Sequence, residues 1–164
     1  MSEITDDLLQ HGFRYAYSLC HQTADAEDLV HDAWLKLLTS NKKVSKGLLF
    51  SSIRNLFIDQ YRRSNLINID IDLQVNELPM HDVNDELLVS KDALQHALSL
   101  LRASEREVLF LHSVEGYTAS EIAKLTKSSR GTVLSSLFRS KRKLKKILNN
   151  HEAKPLSAVS GERS

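Results

Sequence analysis

The chain is poor in the residues that punctuate or crosslink a fold. Its 164 residues include one cysteine, two prolines and five glycines. Cys20 cannot form an internal disulfide, and between Leu19 and His21 on a helical pattern it reads as a small buried hydrophobe without a redox role. Few turn residues in a chain that is 41% apolar favour helix, so the expected fold class is all-α. No apolar run approaches the ~18 residues of a membrane span, and the opening MSEITDDLLQ carries acid where a secretory leader needs positive charge. A cytoplasmic chain with no membrane insertion of its own is expected. Signatures of catalysis are also missing. There is no glycine-rich phosphate loop, Cys20 has no identifiable base, and the seven histidines are scattered without metal-ligand spacing beside a cysteine or paired acids. No cofactor, no metal and no catalysis by the chain itself are expected.

The charge that is present is unevenly distributed. Residues 1–63 hold 8 Lys and Arg against 8 Asp and Glu, residues 64–90 hold 0 against 6, and residues 91–164 hold 14 against 7. The chain is neutral, then acidic, then basic. This segmentation predicts two small helical domains, 1–63 and 85–150, joined by a flexible acidic linker over 64–84 and followed by a disordered tail over 151–164. A linker of ~20 residues can span ~65 Å, enough for two modules to occupy separate sites on a large partner.

Periodicity places the helices. LLQHGFRYAYSLC carries Leu9, Phe13, Tyr17 and Cys20 on one face, and DAEDLVHDAWLKLL repeats Leu29, Ala33 and Leu37 after an acidic first turn, with Trp34 and Leu38 one step round. A lysine-rich loop, SNKKVSKG, leads into LLFSSIRNLFIDQYRR. There Leu49, Ile53, Leu56 and Gln60 fall on one side, while Ser51, Asn55, Asp59 and Arg62 form a polar stripe on the other. Such a stripe suits a solvent-facing helix. It equally suits base reading by amide and guanidinium groups, with the nearby lysines holding phosphates.

The basic part is punctuated more sharply. Ser104 with Glu107, and Thr118 with Glu121, each match a capping box, predicting helices from about Glu105 to Glu115 and from Ala119 to Leu125 around a break at Gly116. The turn KSSRG, with Ser129 as N-cap, then starts a final helix. A short helix, a tight turn and a basic helix form a helix-turn-helix. On the last helix Val133, Leu137, Leu144, Ile147 and Leu148 make a core stripe, and Thr132, Ser135, Ser136, Arg139, Arg142, Lys143 and Lys146 lie opposite. No acid occurs between Glu121 and Glu152, which favours a DNA-contacting face over a merely solvated one. Leu134 and Phe138, on the flank, are expected to extend the core, the alternative being an exposed docking site.

Three ordered segments carry a resemblance: ADAEDLVHDAWLKL, LLFSSIRNLFIDQYRR, and SEREVLFLHSVEGYTASEIAKLTKSSRGTVLSSLFRSKRKLKK. Together they resemble the two conserved regions of an extracytoplasmic-function sigma factor of the sigma-70 family, with RNLFIDQYRR most similar to the iron-uptake subgroup. The resemblance implies a non-catalytic initiation factor that binds core RNA polymerase and promoter DNA, both duplex and single-stranded. It further implies an anti-sigma factor, membrane-bound in some relatives, as a partner. Asp25, Glu27, Asp28, His31 and Asp32 would face core polymerase. Lys42, Lys43, Lys46, Asn55, Asp59, Arg62 and Arg63 would take the opened minus-ten element. Ser129, Arg130, Thr132, Ser135, Ser136, Arg139 and Lys143 would meet the duplex minus-thirty-five element. The chain departs from the pattern at His31, where glutamine is usual, and at Leu134 and Ser136, where basic residues are usual. Two other readings stay open: a helix-turn-helix regulator acting without polymerase, and a polymerase-binding module that no longer reads DNA.

Overall fold

The computed structural model describes residues 2–64 and 90–161, with side chains over 3–64 and 90–150. Among these residues seven helices follow one another: α1 Ser2–Cys20, α2 Thr23–Thr39, α3 Lys46–Ser64, α4 Lys91–Ser99, α5 Ala103–Ser113, α6 Ala119–Thr126 and α7 Arg130–Gly161. Among the described residues there is no strand, in keeping with the all-α expectation. The segment expected to be a linker lies almost wholly outside them.

Helices α1 to α3 form an N-terminal lobe around Tyr15, Ala16, Leu19, Ala26, Leu29, Val30, Ala33, Leu37, Leu49, Phe50 and Ile53, all buried. The buried stripe of α2 is the expected one widened by Ala26 and Val30, while Leu38 points outward at 57% exposure. On α1 the expected stripe of Leu9, Phe13, Tyr17 and Cys20 packs only partly against the core, and the buried centre is Tyr15, Ala16 and Leu19. Small residues explain the rotation. A Cβ on Gly12 would stand 2.9 Å from Leu49 Cδ2, so the bare glycine lets α1 close on the wholly buried Leu49 of α3. On α3 the core stripe ends at Leu56, and Gln60 is exposed.

Helices α4 to α7 form the C-terminal lobe. Ser90 caps α4 by accepting the Ala93 N–H at 3.2 Å, a short helix that periodicity did not resolve. Helix α5 starts at Ala103, earlier than expected, and it is Glu105, not Glu107, that accepts the Arg102 N–H at 2.9 Å. Glu107 is thereby freed from capping and turned into the interior. The second expected box is present in both halves, Glu121 N–H to Thr118 Oγ1 at 3.2 Å and Thr118 N–H to Glu121 Oε2 at 3.0 Å. Gly116 takes φ +72° at the break after α5, where a side chain would be strained. Lys127 takes the left-handed conformation after α6, and Ser129 Oγ accepts the Thr132 N–H at 3.1 Å to start α7. Helix α7 continues to Gly161, so most of the segment expected as a disordered tail is helical. Extending an existing helix adds a hydrogen bond per residue without the cost of a new nucleus.

The two lobes share one core. Val108, Leu111, Ile122, Ala123, Val133 and Leu137 join the N-terminal residues in a single buried cluster, while Ala93, Ala97 and Leu148 form a smaller one beneath α4.

Candidate nucleic-acid interface

Three surfaces carry the residues singled out from the sequence. On α2, Asp25, Glu27, Asp28, His31 and Asp32 are all exposed, because the buried stripe of Ala26, Leu29, Val30 and Ala33 occupies the opposite side. Leu35 and Leu38, 49% and 57% exposed, continue this face. The five polar residues and the two uncovered leucines thus share the solvent side of α2.

The second surface is α3 and the loop before it. Asn55, Asp59, Arg62 and Arg63 are exposed along one side, with Lys42 and Lys43 exposed in the loop. Tyr61, 44% exposed, stacks on Phe57 with ring centroids 6.2 Å apart, an aromatic platform beside cations. Lys46 differs from its neighbours. Its Nζ lies 2.9 Å from Glu115 Oε2 and 5.7 Å from the centroid of the Tyr117 ring.

The third surface is the outer face of α7. Ser129 and Arg130 are exposed at its start, and Ser129 Oγ and Thr132 Oγ1 share a hydrogen bond of 2.8 Å. Thr132, Ser135, Ser136 and Arg139 are half-buried, and the Arg139 Nε–H donates to the Ser135 carbonyl at 3.4 Å. Lys143 reaches back to Glu105 Oε2 at 3.2 Å, so α5 holds this cation on the flank of the face. Leu134 is 40% exposed instead of extending the core, because Val133 and Leu137 already fill the buried side of that turn.

Sequence reasoning missed the groups that join the lobes. Tyr15 donates its hydroxyl to Glu107 Oε1 at 2.6 Å, and the same oxygen accepts the Arg54 Nε–H at 2.8 Å. Burial foremost, then the charge of Glu107, pushes the Tyr15 hydroxyl well above its ordinary range; it stays protonated and donates. Glu115 Oε1 lies 2.7 Å from His11 Nδ1. Burial alone would raise the Glu115 carboxyl, but hydrogen bonds from His11 and Lys46 and the charge of Lys46 outweigh it and hold the group below the usual carboxylate range. Arg106 donates from Nε to the Ser18 carbonyl at 2.8 Å, from Nη2 to that of Leu19 at 3.0 Å, and from Nη1 to those of Leu98 and Leu101. One guanidinium thus caps the carbonyl ends of both α1 and α4, ends that helix geometry leaves without partners. The missed acids did leave a signal. Glu107, Leu111 and Glu115 fall at i, i+4 and i+8, so two carboxylates share the stripe of a buried leucine, and a buried carboxylate requires cationic or hydroxyl partners.

Cys20 is half-buried, its thiol donating to the Ala16 carbonyl at 3.1 Å, and burial pushes its pKa up, which disfavours the thiolate.

Comparison with known proteins matches the two lobes separately. Residues 4–66 match the family described as Sigma-70 region 2, and residues 91–144 the family described as Sigma-70, region 4. Among curated relatives, the ECF RNA polymerase sigma factor SigE of Mycolicibacterium smegmatis is 28% identical over 150 residues, covering 86% of this chain and 58% of that protein. SigL of Mycobacterium tuberculosis is 28% identical over 144 residues, covering 83% of this chain and 81% of that protein. SigX of Bacillus subtilis is 25% identical over 148 residues, covering 82% and 76%. Among solved structures, the sigma factor RpoE in complex with the anti-sigma factor NepR from Bartonella quintana has a TM-score of 0.66 at 24% identity. The match covers 91% of this chain and 98% of that one, and the likeness is one of fold. With regions 2 and 4 matched in order over most of its length, the chain belongs to the sigma-70 family, and the relatives it resembles over more than four fifths of its length are ECF sigma factors.

Proposed function

We propose that the chain binds core RNA polymerase and directs promoter recognition, DNA opening and transcription initiation, without catalysis of its own. The observation that carries this is the pairing of two unlike surfaces on the two matched regions. An acidic face with uncovered leucines lies on α2, and an acid-free polar face lies on α7 behind a properly capped α6. The first suits a protein partner and the second a duplex phosphate backbone. Asp25, Glu27, Asp28, His31 and Asp32 face core polymerase, with Leu35 and Leu38 as the apolar contacts. Lys42, Lys43, Lys46, Asn55, Asp59, Arg62 and Arg63 take the opened minus-ten strand, with Tyr61 available as a stacking platform. Ser129, Arg130, Thr132, Ser135, Ser136, Arg139 and Lys143 meet the minus-thirty-five duplex.

An anti-sigma factor is a fitting regulator, and exposed Leu134 is the residue of α7 best placed to meet one. Among the described residues no helix is long and apolar enough to cross a membrane, and the function places the chain in the cytoplasm. Membership of the iron-uptake subgroup rests on RNLFIDQYRR alone; the relatives named above lend it no support.

Co-elution with purified core polymerase tests the assignment of α2. The double variant Asp28→Lys, Asp32→Lys should lose co-elution and keep its helicity and its binding to duplex DNA. A variant that still co-elutes would overturn the assignment, and a chain that binds duplex DNA but never core would be a free-standing regulator.

A further inference from the structure

Among the described residues of α7 one large apolar side chain is uncovered. Leu134 is 40% exposed, whereas Val133 before it and Leu137 after it are buried at 2% and 6%. Those two fix the roll of the helix against the core, so Leu134 is held outward. Its surroundings on that side are low. Gly131, one turn earlier, is exposed and a Cβ there would meet nothing within 4 Å, while Ser135 has a short side chain. Ser129 and Thr132 share a hydrogen bond of 2.8 Å, and the Ser129 hydroxyl also accepts the Thr132 N–H, so capping occupies both hydroxyls. In the first turns of α7 the side chains that stand out from the helix are therefore Arg130 and Leu134, both exposed and at i and i+4 on one face.

The N-terminal part of a recognition helix is the part that meets base edges in the major groove. Guanine, adenine and cytosine offer only hydrogen-bonding groups there, whereas thymine adds an apolar one, its C5 methyl. A leucine set against the first three strips water from donors and acceptors and returns no bond. Set against thymine it meets the methyl, and apolar surface on both sides leaves water. An arginine at the same place would make the opposite choice, because its guanidinium bonds guanine O6 and N7. Arg130 supplies charge beside Leu134 for the phosphates that hold the helix in register.

We propose that Leu134 determines specificity by contacting the C5 methyl of a thymine in the minus-thirty-five duplex, selecting a T·A pair at the position it faces. The contact rests on the DNA-binding function proposed above. A protein partner seated on Leu134 would exclude the groove, so the two contacts alternate. In the test, the full chain with core RNA polymerase selects duplexes from a random pool, counted over those that core alone selects. Wild type should enrich a thymine that Leu134→Ala no longer selects and that Leu134→Arg replaces with guanine. Leu134→Met, which stays apolar, should retain the thymine, and circular dichroism checks that each variant is folded. On the selected duplex, deoxyuridine at that position removes the methyl and leaves the base pairing. It should weaken wild-type binding about fourfold, the worth of one buried methyl-sized group, and leave binding by Leu134→Ala unchanged. An enriched element that responds neither to the Leu134 variants nor to deoxyuridine overturns the contact alone. A chain that enriches no duplex over core overturns the contact together with the DNA-binding function beneath it.

Discussion

Glu107 Oε1 accepts hydrogen bonds from Tyr15 at 2.6 Å and from Arg54 at 2.8 Å, joining residues 92 and 53 positions apart in the chain. The carboxylate belongs to the C-terminal lobe and both donors to the N-terminal lobe. Truncating one member leaves the other charge buried without a partner, which is more damaging than losing an exposed pair. Glu107→Ala should therefore weaken the docking of the lobes by about 3 kcal/mol and split thermal unfolding into two transitions. Calorimetry checks this, and a single transition at the wild-type temperature would contradict it.

Arg106 makes a different kind of contact, with backbone carbonyls rather than a counter-charge. A lysine in its place carries the charge but not the planar fork that reaches carbonyls of two helices at once. Arg106→Lys should cost about 2 kcal/mol in denaturant unfolding, and Arg106→Ala should cost more. Equal stability of the lysine variant and wild type would show that charge alone suffices at this position.

Much of this architecture is legible in the sequence, and what is not has a physical reason. Thr118 with Glu121, and Ser129 before the final helix, mark their helix starts correctly because capping is local: donor and acceptor lie three residues apart. The buried face of α2 is legible for the same reason. The face of α1 is not, because it is set by Gly12 against Leu49 and by Tyr15 against Glu107, contacts that no period along α1 can reveal. Ser104 and Glu107 have the spacing of a capping box. Tertiary pairing claims Glu107 instead, and the cap falls to Glu105. The residues proposed for core polymerase and DNA are legible as polar faces, exposed on α2 and half-buried along much of α7, whereas Lys46 and Lys143 look free in the sequence and are held by Glu115 and Glu105 in the fold.

Acid should loosen the contact of Glu115. Its carboxyl is held below the ordinary range once hydrogen bonds from His11 and Lys46 and the charge of Lys46 outweigh burial, with Tyr117 and Asp7 also facing Lys46. A group whose folded pKa is depressed contributes stability above its unfolded value, about 4.3, and loses it as pH falls through the folded value. The stability gap between wild type and Glu115→Gln should be full near neutrality and shrink below about pH 4. Denaturant midpoints across pH check the sign; a gap that grows in acid would contradict it.

On duplex promoter DNA the cations of α7 should act through phosphate neutralisation. Arg139→Ala with Lys143→Ala should weaken upstream contact and flatten the dependence of log affinity on log salt by up to about 2. Glu105→Gln, which releases Lys143, should strengthen binding. Electrophoretic mobility shifts at several salt concentrations read both, and an unchanged slope counts against this face of α7.

The most direct measurement is initiation itself. Purified chain added to core RNA polymerase on a library of promoter fragments should yield transcripts with defined start sites that core alone does not produce. Core that binds the chain yet starts no transcript on any fragment would contradict the account.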